Sequence, residues 1–162
     1  MKHKIAYLCV LCLLAGSLVL AVAGLSLSAS APKATGGIGF MRNEDNGEQV
    51  RCWAEFEAQA TSDTSAKGWI KYHDANGWQF RVNVKCVTVI SDSNLAFLSG
   101  PIVSSTDTTF LGKFLLLGVY DGGTPGSKGD LIWGEFYDRD PGCSNPPPGK
   151  PTTVESGNLV VH

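Results

Sequence analysis

The chain has 162 residues, a formal net charge of −2, 19 Gly, 8 Pro and 5 Cys. Lys2 and Lys4 belong to an apolar leader, so the body that follows is more acidic still, which argues against a protein that grips a nucleic-acid backbone through a basic face. Only Gly16 of all the Gly and Pro residues precedes position 24, so the body is dense in chain breakers and long helices are not expected in it.

Residues 1–23 read as a signal peptide, with Ala21-Val22-Ala23 as the small-residue cleavage site and Gly24 as the new N-terminus. The apolar run Ile5–Gly24 is also long enough for an uncleaved N-terminal anchor. In both cases the lysines stay inside and the body is exported, so the chain is expected to be secreted or extracytoplasmic. Cys9 and Cys12 lie within the run as apolar filler. Residues 24–35, made mostly of Gly, Ser, Ala, Pro and Thr, read as a flexible linker.

From residue 36 onward the hydrophobic period is two. Val50, Cys52, Ala54, Phe56 and Ala58 alternate with Arg51, Trp53, Glu55, Glu57 and Gln59, and Trp78, Phe80, Val82, Val84 and Cys86 alternate with Gln79, Arg81, Asn83 and Lys85. About eight strands follow, near 37–42, 49–60, 66–73, 78–91, 94–103, 109–121, 129–138 and 154–162. Burial fixes one register: a three-residue loop Ala75-Asn76-Gly77 pairs Tyr72 with Phe80 and Ile70 with Val82, whereas a two-residue loop would set Tyr72 against Arg81. Asp92-Ser93-Asn94 closes a second hairpin. The strand through Phe110–Tyr120 is apolar on both faces, so it should be central or covered. The connection 138–153, with Pro146-Pro147-Pro148, cannot pair centrally. The expected fold is therefore all-β, an antiparallel meander, with closure into an up-and-down barrel favoured over a two-sheet sandwich because closure removes exposed edges.

Asp74, Val84-Lys85-Cys86, Tyr120-Asp121-Gly122-Gly123-Thr124-Pro125-Gly126, Asp130, the Cys143 loop and the final Gly157–His162 occur here together. In this the chain resembles the post-COAP-type domains, secreted β-rich bacterial proteins of unknown function, over roughly residues 36–162. The family pattern more often has Asn at position 122 and has no fixed cysteine at position 52. The resemblance implies export and a β meander and supplies no catalytic residue. Three body cysteines, Cys52, Cys86 and Cys143, leave one thiol over after a single bridge. Three pairings are open, and topology alone also allows Cys52–Cys143. The resemblance implies Cys86–Cys143, which would tie the proline-rich loop to the wall.

Several constellations bear on function. His73 lacks any nucleophile motif and reads as a surface residue near Trp53. Glu55 and Glu57 are two apart on the outward face. A carboxylate pair can run glycoside hydrolysis, but with Lys71 opposite Glu55 they read as an ordinary solvated face. The glycine-rich loop Asp121–Asp130 offers Asp121 and Asp130 as oxygen ligands for Ca²⁺, without the spacing of an EF-hand; a plain turn is the simpler reading. Trp53 and Trp69 face outward among charges and could form a stacking surface for a carbohydrate or a cell-surface partner. Bulky inward positions, Phe56, Tyr72, Trp78, Phe80 and Phe114, could fill a lumen. The expectation is a non-enzymatic exported module with a binding or structural role and no cofactor; a small barrel carrying an apolar ligand is the alternative, and a hydrolase using Glu55 and Glu57 ranks behind both. No nucleic-acid partner is expected, and the membrane enters only through residues 1–23 if they stay uncleaved.

Overall fold

In the computed structural model, residues 31–44, 46–123 and 128–162 are described. The expected leader with its cleavage site, and residues 24–30 of the expected linker, lie outside them. Nine strands carry the fold: β1 (Lys33–Asn43), β2 (Gln49–Ser62), β3 (Ser65–Asp74), β4 (Gln79–Asn83), β5 (Cys86–Ile90), β6 (Leu95–Ser105), β7 (Phe114–Tyr120), β8 (Leu131–Tyr137) and β9 (Thr152–Val161). All pairings are antiparallel, in the order β4-β3-β2-β1-β9-β8-β7-β6-β5, and a further β4–β6 pairing returns the sheet on itself as a ring. The all-β meander and its closure are as expected. Two seams in the ring are narrow. β8 meets β9 only through Leu131↔Thr153 and Ile132↔Thr152, and β4 meets β6 only over Phe80–Val82.

Burial chose the register of the β3–β4 hairpin. Tyr72 pairs with Phe80 and Ile70 with Val82, and Gly77 takes the left-handed conformation (φ 85°) that the three-residue loop demands. The Asp74 carboxylate holds that turn by accepting the amides of Asn76 and Trp78, each at 3.0 Å.

Three boundaries differ from expectation. β1 begins at Lys33, inside the segment read as linker, because Lys33–Thr35 pair with Gln59–Glu57 and Ala34–Thr35 with Val161–Val160. The strand expected from residue 109 begins at Phe114, since Asp107 caps a 3-10 turn over Thr108–Phe110. The strand expected over 78–91 is broken at Val84-Lys85 into β4 and β5. There Asn83 presses its carbonyl against Gly100, where any Cβ would lie 1.9 Å from that oxygen. The jog inverts the alternation: Val82 and Val84 point into the ring, but so do Val87 and Val89. Cys86, expected inward with Val84, therefore faces outward, against Phe97, Leu116 and Cys143.

The core inside the ring is built from Ile38, Phe56, Ile70, Val82, Leu98, Leu117, Val119 and Leu159 among others. β7 is covered on both faces, as its composition requires: Leu115, Leu117 and Val119 point inward, and Leu116 points out under the 138–151 loop. Phe114 shares the outward parity of Leu116 and joins neither core cluster, contrary to its expected place in the lumen. The loop is pinned by a Cys86–Cys143 disulfide (S–S 2.01 Å), by Trp133 Nε1–H donating to the Pro147 carbonyl at 3.0 Å, and by burial of Pro147. The pairing is the one the family resemblance implies. Among the described residues no helix is long and apolar enough to cross a membrane.

Candidate functional site

At the end of the ring where β1 and β3 finish and β4 begins, charged residues occupy positions that alternation assigns to the interior. Arg42 follows Ile38 and Phe40 on β1, and Asp74 follows Ile70 and Tyr72 on β3. They satisfy one another. Arg42 Nη2 donates to Asp74 Oδ2 at 3.0 Å, Nη1 to the Tyr72 oxygen at 2.7 Å, and Nε to Glu44 Oε1 at 3.2 Å. The Tyr72 hydroxyl has two acceptors in reach, Cys52 Sγ at 3.0 Å and Asp74 Oδ2 at 3.4 Å. The Asp74 side chain is 1 % exposed and the Arg42 side chain 31 %, so the network runs from interior to rim. The guanidinium also lies over the rings of Trp78 (5.2 Å) and Tyr72 (5.8 Å).

Burial, reinforced by the Cys52 hydrogen bond, pushes the Tyr72 phenol far above its ordinary pKa. Burial likewise raises the Cys52 thiol. For Arg42 burial opposes the charge, but the Glu44 hydrogen bond and neighbouring groups leave its pKa raised. The phenol and thiol are thus held neutral and the guanidinium charged, with Asp74 and Glu44 beside it as counterions.

Beneath this network sits an aromatic cluster. Tyr72 stacks on Phe80 (4.7 Å), and Trp78 contacts Phe80, Phe110 and Phe136 at 4.9–5.8 Å. Next to it is a cavity of about 260 Å³, its walls including Phe40, Ala54, Tyr72, Trp78, Leu117 and Phe136. Arg42, Glu135 and Lys150 also line it. The position follows from the narrow β8–β9 seam. Beyond Ile132, Trp133–Tyr137 of β8 have a strand partner only in β7, and the cavity lies where the wall parts.

Sequence reasoning reached Tyr72, Trp78 and Phe80 as bulky lumen residues but not Arg42, Phe110, Phe136 or Lys150. A signal was present: Arg42 and Asp74 are charges at inward parity on two strands.

The other expected site residues lie elsewhere. His73 stacks on Trp53 (4.9 Å, 12°) on the outer face, as their register Trp53↔His73 dictates. Glu55 sits opposite Lys71, and Glu57 pairs with Lys33 at 3.3 Å. None of these residues lines the cavity. Trp53 and Trp69 are half-buried on the outer face, and the proline-rich loop covers Trp133 rather than either of them. Asp121 and Asp130 accept backbone amides: Asp121 from Gly123 (2.8 Å) and Val161 (3.3 Å), and Asp130 through Oδ1 from Gly122 (2.9 Å). Asp130 thereby ties the two arms of the loop together and Asp121 ties its start to β9; residues 124–127 lie outside the described set. Among the described residues no group of three or more His, Cys, Asp or Glu is arranged to hold a metal ion.

Comparison of the chain with protein-family models, curated proteins and solved structures returns no match.

Proposed function

We propose that the chain is an exported, non-enzymatic binding module that takes a small apolar ligand into the cavity at one end of its ring. The observation that carries this reading is the cavity of about 260 Å³, walled by aromatic and aliphatic side chains and opening where β8 and β9 part. Eight of the nine strands close the ring, β5 lying beside β6 outside the closure; a ring of that size leaves room for one small ligand at most, and binding cavities are typically apolar with a few polar groups at their margin. Arg42 is already matched by Asp74 and Glu44, which leaves Glu135 and Lys150 as the charged groups at the margin, and the mainly aromatic and aliphatic wall favours a small neutral aromatic molecule. Export is supported by the charged start and apolar run of residues 1–23 and by a disulfide, a bond that persists in oxidising compartments. The turn and strand signatures shared with post-COAP-type domains point the same way. The non-enzymatic reading is supported by the separation of Glu55, Glu57 and His73 from the cavity.

Titration with the neutral fluorescent probe N-phenyl-1-naphthylamine tests the proposal. Wild-type protein is expected to bind it with one-to-one stoichiometry. Ala54→Leu, which pushes extra methyl groups into the cavity, is expected to weaken binding at least ten-fold while the fold is retained. Absence of binding to the wild type, or equal binding by a folded Ala54→Leu variant, overturns the reading.

A further inference from the structure

The outer face of β2–β4 carries an arrangement that stability alone does not favour. The strand registers align three cross-strand rows there: Glu57↔Trp69↔Asn83, Glu55↔Lys71↔Arg81↔Ser104 and Trp53↔His73↔Gln79. In the middle row two cations, Lys71 and Arg81, stand directly opposite each other and both are exposed. Like charges in that relation repel. Among the described residues neither takes part in an ion pair. Glu57, the nearer carboxylate to Trp69, is engaged by Lys33, and Glu55 lies in register with Lys71 but farther than an ion pair. Lys71 instead rests its ammonium 4.8 Å from the centre of the Trp69 ring. A shallow depression is lined here by Lys71, His73, Gln79, Arg81, Ser104 and Thr106.

Half-buried Trp69 and exposed His73 bracket the two cations. Trp69 is two residues before Lys71 on β3. His73 is two residues after it and is backed by Trp53 at 4.9 Å. At about 3.3 Å per residue the brackets lie roughly 13 Å apart along the strand. Ring faces at that spacing, with a pair of unneutralised cations and the Ser104 hydroxyl between them, match pyranose rings that stack through their C–H faces and carry an oxyanion.

We infer that this face binds an acidic saccharide. A carboxylate or sulfate group draws the Lys71 ammonium off the Trp69 ring to face it together with Arg81 and relieves their mutual repulsion, which frees Trp69 for one sugar ring while another stacks on the Trp53–His73 pair. The site is separate from the ring-end cavity and does not depend on it.

The test is equilibrium binding of the full exported protein to polygalacturonate and dextran sulfate, with uncharged dextran and poly(dT) as comparisons. The expected result is salt-sensitive binding of at least one acidic polysaccharide, with neither comparison bound as tightly. Lys71→Gln/Arg81→Gln is expected to weaken that binding at least ten-fold with Tm unchanged or raised, because the like-charge contact is removed. Trp69→Ala is expected to weaken it at least three-fold without altering cavity-probe affinity. Failure to bind either acidic polysaccharide, equal binding of dextran, tighter binding of poly(dT), or full affinity in the double variant each overturns the inference.

Discussion

Replacing both Cys86 and Cys143 by Ala measures how firmly the outer loop braces the ring. The bridge spans a sequence separation of 57 residues, for which loop-closure entropy gives about 4 kcal/mol of stabilisation at 25 °C. Cys143 is also 4 % exposed, packed with Phe97 and Leu116, and trimming it to Ala leaves a small void costing about 1 kcal/mol. The double variant should therefore lose about 4–5 kcal/mol. At roughly 3 °C per kcal/mol for a domain of this size, Tm should fall by roughly 12–15 °C. Guanidinium unfolding followed by tryptophan fluorescence provides the assay. The strand pairings do not pass through the bridge, so the ring should persist. Pro148, Gly149 and Lys150 line the cavity and belong to the same loop, so probe affinity should fall together with stability. A stability loss below about 1 kcal/mol would refute the argument that the link restrains the denatured chain. Unchanged probe affinity would show that the Trp133–Pro147 hydrogen bond and the burial of Pro147 hold the cavity wall unaided.

Arg42→Met should destabilise by about 2 kcal/mol, because it leaves the buried Asp74 carboxylate without its cation; the figure is set below the range for fully buried pairs since the Arg42 side chain is 31 % exposed. Adding Asp74→Asn should cost less than the sum of the two single changes, a coupling measurable by a double-mutant cycle; strict additivity would contradict the network. Cys52, fully buried and with its pKa raised by burial, should stay unreactive to a thiol reagent in native protein and react once the chain is unfolded; rapid native labelling would contradict its placement. For Asp130, burial raises the carboxyl pKa in the folded state, so the folded protein holds its proton to higher pH than the unfolded chain does. Its contribution to stability is therefore greatest below the unfolded value of about 3.9 and declines as pH rises from there through the folded pKa. The stability difference between wild type and Asp130→Asn should drift in the variant's favour over that window, and a flat or opposite trend would refute the assignment.

Much of this architecture was legible in the chain because a strand's side chains have a period of two and turns have chemical requirements. Alternation around Val50–Ala58 and Trp78–Val84 identified the inward residues, and Gly77 with the pairing of Tyr72 to Phe80 fixed a hairpin register from burial alone. The same rule failed where backbone contacts from distant strands intervened. The jog at Val84-Lys85 depends on Gly100, which admits the Asn83 carbonyl from across the sheet, and it turns Cys86 from the lumen to the outer face. No local pattern around residues 78–91 announces that inversion, since the partner that permits it is on another strand.

The binding features divide in the same way. That Trp53 and Trp69 would face outward, that Glu55 would stand opposite Lys71, and that the body would be β throughout were all determined by alternation and turn residues. The cavity was not, because it exists where β8 and β9 separate after Ile132, and it gathers Phe40, Ala54, Phe80 and Phe136 from four different strands. Local propensity sets which way a side chain points from its own strand. Which side chains then meet across the ring, and where the wall parts between them, is decided only when the sheet closes and the lengths of distant pairings must be reconciled.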